Sequence, residues 1–326
     1  MGITTRRSVL SVAALLQASA VRHAQAQDFP SRPISWVVPF PPGGITDTSS
    51  RLVARPLGAF LGQQVIIDNR PGAGGSIGTE MAARSTADGY TILYGTQGTL
   101  ATNPVLYQNI NYDALRDFVP VHGLTETPLL LVTSPERRIR SLAELIARAK
   151  AKPGEITYSS SGIGTGTHMA AELFQLEAGV ELTHVPYQGS APALNDLVAG
   201  RVDIMFDYLV ATRGHIAEVR LRSLVTTGST RMPGLPDVPT LGELGLAGAE
   251  TTSWSSIMVP AATPAQVVLR LTAGMQAALS DTKVRETLTS TGSSPLMLAG
   301  VPLRQFVERD IARWRAVVER SGAKAG

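Results

Sequence analysis

The chain has 326 residues, 44% of them hydrophobic, 17% charged and 5% aromatic, which excludes a disordered chain and leaves room for two packed domains. Its formal charge of +3 comes from 29 basic and 26 acidic residues, but Arg6, Arg7 and Arg22 lie in the first 26 residues, which hold no acid, so the remainder balances at 26 of each. That balance removes the electrostatic case for nucleic acid or an anionic membrane as partner. The absence of cysteine excludes disulfides, thiolate metal sites, a cysteine nucleophile and a lipid-anchored N-terminus.

Residues 1–26 read as a signal peptide. Arg6 and Arg7 form a positive region, 8–16 a short apolar run, and Ala24-Gln25-Ala26 a small-residue cleavage site, so export to the periplasm and a mature start at Gln27 are expected. The run TRRSVL also resembles a twin-arginine signal, which leaves the export route open. No later stretch approaches 18 consecutive apolar residues, so no membrane anchor is expected.

Short β-rich runs then alternate with helical patterns. Ile34–Val38, Val65–Asp68 and Thr91–Gly95 read as buried strands, each followed by a Gly- or Thr-containing loop. This is the βαβ rhythm of a parallel sheet. A second set follows Pro128: a strand at 129–133, and a helix from Ser141, whose spacing to Glu144 is that of a capping box, to about Ala151. Strands at 156–159, 183–185 and 203–206 follow, with helices from about Thr167 to Glu177 and through Leu194. The tail adds a strand at 255–259, a helix beginning near Pro264 and a last helix at 303–320. Two doubly wound units imply two lobes, with domain 1 at 27–126, domain 2 at 127–228 and a return to domain 1 at 229–326. Crossings are expected near 123–127 and 227–231, with a ligand cleft between the lobes. Pro56 falls inside the first expected helix, where it predicts a kink near 52–56 or two shorter helices.

Two glycine loops stand out. In WVVPFPPGGITD (36–47), a strand runs through Gly43 and Gly44 into a helix, with Thr46 as candidate N-cap, so free backbone N–H groups point where an anion can meet them. In VIIDNRPGAGGSIG (65–78), Ile77 stands where a dinucleotide fingerprint needs its third glycine, so a tight turn with close helix–sheet packing is preferred. There is no Walker loop, no H-E-x-x-H and no G-x-S-x-G. His168 and Glu172 share a helix face, but no clustered ligands complete a metal site. Neither metal nor cofactor is expected.

The segments VVPFPPGGITD, NRPGAGGSIG, ADGYTIL, GTGTHMAAELF, HVPYQG, LPDVPTLGELG and TSWSSIMVPAATP occur in the order found in the tripartite tricarboxylate transporter receptors, also called Bug receptors, which the chain resembles from about residue 33 to its end. The resemblance implies an α/β fold of the type II periplasmic binding-protein kind, a Venus flytrap of two doubly wound domains. It further implies a monomer that closes on a small carboxylate and delivers it to the large and small membrane subunits of a separate carrier. A signalling sensor and a secreted enzyme acting on small acids are the alternatives. Candidate ligand contacts are Pro42, Gly43, Gly44 and Thr46 in the first loop and Thr96, Gln97 and Gly98 after the third strand. In the second lobe they are Ser161, Gly162, Thr165, Thr167 and His168, with Asp207 at the end of IMFD. Asp47 reads better as a helix-start acid than as a contact, because it would repel an anion. His168 stays open between ligand donor and packed side chain, and Asp207 between ligand contact and loop brace. Gln188 stands where the resembled receptors commonly carry lysine.

Overall fold

The computed structural model describes residues 29–323; the expected signal segment and cleavage site lie outside the described residues. Among the described residues, eleven strands form two sheets. The first holds β1 (Ile34–Val38), β2 (Val65–Asn69), β3 (Thr91–Thr96), β4 (Phe118–Pro128), β10 (Thr252–Pro260) and β11 (Ser294–Pro295) in the order β11-β4-β10-β3-β1-β2. The second holds β5 (Leu130–Thr133), β6 (Thr157–Ser160), β7 (Thr183–Pro186), β8 (Ile204–Asp207) and β9 (Arg222–Thr226) in the order β7-β6-β8-β5-β9. In each sheet three strands run parallel, and a fourth lies antiparallel beside them. That fourth strand is β10 in the first sheet and β5 in the second, so the chain crosses between lobes to complete both.

The helices are α1 (Ile45–Leu61), α2 (Ser76–Ala83), α3 (Asn103–Leu106), α4 (Leu142–Ala151), α5 (Gly166–Ala178), α6 (Ser190–Val198), α7 (Leu209–Ala217), α8 (Ala265–Ser280), α9 (Thr282–Ser290) and α10 (Gly300–Ser321). They cover both sheets because the strands are apolar on both faces. On β1, Ile34, Trp36 and Val38 join the cluster that holds Val53 and Leu57 of α1 and Leu271 and Met275 of α8, while Val37 points to the opposite cluster with Leu303 and Trp314 of α10. On β5, Leu131 and Leu130 likewise serve opposite clusters. The expected capping box of α4 forms with a shift. Ser141 Oγ accepts the Glu144 N–H at 3.2 Å, whereas the Glu144 carboxylate accepts the Arg140 N–H at 2.9 Å, one residue before the cap.

The division of the first helix at Pro56 does not occur: α1 runs through it as one helix. Proline inside a helix costs about 3 kcal/mol, but this helix seats Val53, Leu57 and Leu61 in the core, each contributing about 1.5–3 kcal/mol by burial. Burial wins. Residues 229–251, expected with the first lobe, pack on the second. Met232 joins the cluster of β5 and α6, and Leu241 and Ala249 join that of α4 and α5; Thr226 pairs with Thr240 as an added parallel bridge. The crossings therefore lie at Leu129 and at Thr251. Thr227 ties them together: its N–H donates to Leu129 O at 2.8 Å, its hydroxyl donates to Thr251 O at 2.7 Å, and its carbonyl accepts the Thr251 N–H at 2.8 Å.

Candidate functional site

A cavity of about 480 Å³ lies between the lobes, within the range of small-molecule sites. Four helices aim their first turns into it: α1 through Gly44, Ile45 and Thr46, α5 through Thr165 and Gly166, α6 through Gly189, Ser190 and Ala191, and α7 through Tyr208, Val210 and Ala211. The residue preceding each, respectively Gly44, Thr165, Gly189 and Tyr208, makes no side-chain capping bond. Their first backbone N–H groups therefore stay free for a ligand, and the helix dipoles place positive potential there. By contrast α4 and α9, away from the cavity, are capped by Ser141 and Asp281.

The loops that deliver these ends are shaped by glycine. Gly43 has φ +85° and so turns the chain out of β1 in a conformation side chains rarely adopt. Its N–H donates to Asp47 Oδ2 at 3.0 Å, and Asp47 is paired with Arg51 at 2.9 Å. Burial pushes the Asp47 carboxyl up, but Arg51, the Gly43 N–H and Asn69 outweigh it and hold the group below the usual carboxylate range. Asp47 is thus a brace behind the loop. Thr46 is not the N-cap; Gly44 is, and Thr46 sits in the first turn and lines the cavity.

Of the sequence candidates, Pro42, Gly43, Gly44, Thr46, Thr96, Gly98, Ser161 and Thr165 line this one cavity. Gln97, Gly162, Thr167, His168 and Asp207 are not among its lining residues. Thr167 is fully buried, and its hydroxyl accepts the Ser161 N–H at 2.9 Å and lies 2.8 Å from Thr165 Oγ1, so it holds the loop from behind. His168 accepts the Gly164 N–H on Nδ1 at 3.1 Å and stacks on His184 with ring centroids 4.2 Å apart. Burial, helped by His184, pushes its pKa down to about 3, so it is a neutral packed ring. Asp207 is buried behind the cavity wall, with Oδ1 accepting Ser190 Oγ at 3.1 Å and the Tyr208 N–H at 2.8 Å.

The sequence reading missed Tyr94, Thr125, Thr127, Ser190, Tyr208, Ser253, Trp254, Ser255 and His215, all of which line the cavity. Several form a hydroxyl network: Ser49 Oγ lies 2.9 Å from Tyr94 OH, and Thr125 Oγ1 lies 2.7 Å from Ser255 Oγ. Burial pushes both the Tyr94 and the Tyr208 phenols up, so both stay protonated donors. The one available signal was Gln188-Gly189-Ser190, where glycine opens another helix. Among the described residues, no Asp, Glu, Lys or Arg lines the cavity, and no group of three or more His, Cys, Asp or Glu residues is placed to hold a metal ion.

Residues 50–323 match the family described as "Tripartite tricarboxylate transporter family receptor". The chain belongs to that family. It is 40% identical over 300 residues to Protein BugT of Bordetella pertussis, spanning 92% of each chain. Among solved structures it superposes with a TM-score of 0.87 on Rpa4515 of R. palustris with adipate, at 38% identity over 91% of this chain and 99% of that one. MatC from Rhodopseudomonas palustris with bound malate gives 0.83 at 35% identity, over 89% and 100%. The two-lobe fold of this tricarboxylate transporter receptor is that of the periplasmic binding proteins in its family, and no described helix is long and apolar enough to cross a membrane.

Proposed function

We propose that this receptor captures a small carboxylate between its lobes in the periplasm and hands it unchanged to the membrane subunits of a tripartite carrier. One observation carries the reading: four uncapped helix N-termini and a set of hydroxyls converge on a cavity with no charged side chain in its lining. Such a site recognises an anion by N–H and O–H donors. Gly43, Gly44, Ser161 and Thr165 supply the two facing loops, Thr46, Thr96 and Gly98 complete the first-lobe side, and Pro42 encloses the solute. Thr167, His168 and Asp207 brace these groups from behind, and Gln97 and Gly162 lie beside them in the same loops. The adipate and malate bound by the solved relatives fit the same chemistry. Gln188, which lines the cavity, is neutral and keeps the site free of added positive charge.

The test is calorimetry of the purified protein against mono- and dicarboxylates and the amides of the same skeletons, with the solute recovered afterwards. A micromolar acid, about 8 kcal/mol of binding, with its amide silent and the acid unaltered, is the expected result. Equal binding of acid and amide would remove the carboxylate reading, and conversion of the acid would make the chain an enzyme.

A further inference from the structure

The second glycine loop, Gly72-Ala73-Gly74-Gly75, lies outside the cavity lining, yet its backbone is unusual. All four residues have positive φ, of +133°, +46°, +61° and +93° in turn. Ala73 thus holds a conformation that residues other than glycine seldom adopt, and such strain persists only where the surroundings enforce it. What the loop faces is the opposite lobe. A methyl group at Gly74 would lie 2.5 Å from Ile163 O, the carbonyl to which Tyr107 OH donates at 3.2 Å. Asn103 fixes the loop from its own side: Nδ2 donates to Gly74 O at 3.0 Å and to Ser76 Oγ at 2.9 Å.

The opposing surface is the tip Ile163-Gly164, between β6 and α5. Gly164 has φ +80°, and a methyl group there would collide with Asn103 Oδ1 and lie 3.3 Å from Leu106 Cδ2. At Gly74 and at Gly164, then, no side chain holds the two backbones apart. Ile163 packs on the buried cluster that holds Leu106 of α3. Neither tip residue lines the cavity, but Ser161 and Thr165 on either side do. The tip is tied to them, because Thr165 Oγ1 donates to Gly162 O at 2.7 Å and the Gly164 N–H donates to His168 Nδ1 at 3.1 Å. A solute that draws Ser161 and Thr165 towards the first lobe therefore delivers the tip to Gly74, Asn103 and Tyr107.

We propose that the second glycine loop is the seat of a closure latch: with Asn103 and Tyr107 it receives Ile163 and Gly164 of the opposite lobe, and so sets solute affinity without touching the solute. This rests on the carboxylate-receptor reading above. The test is calorimetry of the purified protein with a panel of acids that includes adipate and malate, for the native protein, Ile163→Ala, Ile163→Val and Gly74→Ala, with melting curves to establish that each variant folds. Ile163→Ala strips the tip of its packing and Gly74→Ala fills the seat. Each is expected to weaken every acid that the native protein binds by one common factor, about fivefold, because it lowers the closed population and removes no contact to solute. Ile163→Val, which keeps a branched apolar side chain, retains most of the affinity. If Gly74→Ala does not fold, Ile163→Ala decides. Native affinity in Ile163→Ala, or a loss that differs from acid to acid, overturns the latch and leaves the receptor standing. Failure of the native protein to bind any acid overturns the receptor reading and this proposal with it.

Discussion

Asp207 ends β8 with its carboxylate out of water, and while Oδ1 accepts two hydrogen bonds, Oδ2 has no partner. Burial outweighs the two donors and pushes its pKa up to about 7 from an ordinary 3.8. The folded state thus holds this proton more tightly than the unfolded chain. Its contribution to stability is fully present below pH 3.8 and is lost as pH rises through 7. His168 and His184 act with the opposite sign. Burial pushes them down to about 3 and about 4 from 6.5, so their contribution is present above pH 6.5 and lost as pH falls towards those values. Asp207→Asn replaces the carboxyl by a neutral group of the same shape. The variant is expected to melt with the native protein at about pH 3.5 and increasingly above it as the pH rises, by several degrees at pH 8, about 2–4 °C for each kcal/mol recovered. An offset that does not change with pH would mean that Asp207 is not protonated in the fold. This role was hidden in the sequence, because a strand-end acid reads the same whether it faces the cleft or the sheet behind it. His168 and Thr167 were hidden likewise, since nothing local decides which hydroxyls of a Gly/Ser/Thr loop turn inward.

The βαβ elements were largely legible because each carries its own local signal. Ile34–Val38 and Leu142–Ala151 begin and end where apolar periodicity and the Ser141 cap place them. What escaped was set by tertiary packing: that α1 is not split into two helices at Pro56, and the stay of 229–251 on the second lobe. Of the site, the loops at 42–46 and 161–165 were legible as glycine-rich strand-to-helix turns. The hydroxyls of Thr125, Ser253 and Ser255 were not, because isolated serines and threonines in β4 and β10 look like ordinary strand residues. Gly166, the first residue of α5, shows how close the packing is. A methyl group there would lie 2.7 Å from Ser253 Oγ and 2.7 Å from Tyr208 OH. Gly166→Ala must push these two cavity-lining side chains aside, at a cost of about 1–3 kcal/mol. Calorimetry with the best acid is expected to show roughly tenfold weaker binding for each 1.4 kcal/mol, and native affinity in this variant would place the solute elsewhere.

The two lobes meet in a shared buried cluster, where Met169 and Leu173 of α5 pack with Leu303 and Trp314 of α10, and through contacts of their loops. Tyr107 OH donates to Ile163 O at 3.2 Å, and methyl groups at Gly98 and Gly74 would lie 2.9 Å from Gly164 O and 2.5 Å from Ile163 O. Behind the cleft, the crossings at Leu129 and Thr251 are bound together by Thr227 and keep the sheets intact. Opening therefore breaks these loop contacts and must also part or slide the packing of α5 on α10, about the crossings as hinge. Removing one contact and wedging the cleft then differ in degree. Tyr107→Phe deletes a single hydrogen bond, about 1 kcal/mol, and should weaken solute binding roughly fivefold by favouring the open state. Gly98→Ala sets a methyl against backbone that has no rotamer to yield, so closure must stop short of the contact. Small-angle scattering with saturating solute is expected to show the native radius of gyration falling and that of Gly98→Ala falling less, with the melting temperature of the unliganded variant near native. An equal contraction would show that the lobes close without bringing Gly98 to Gly164.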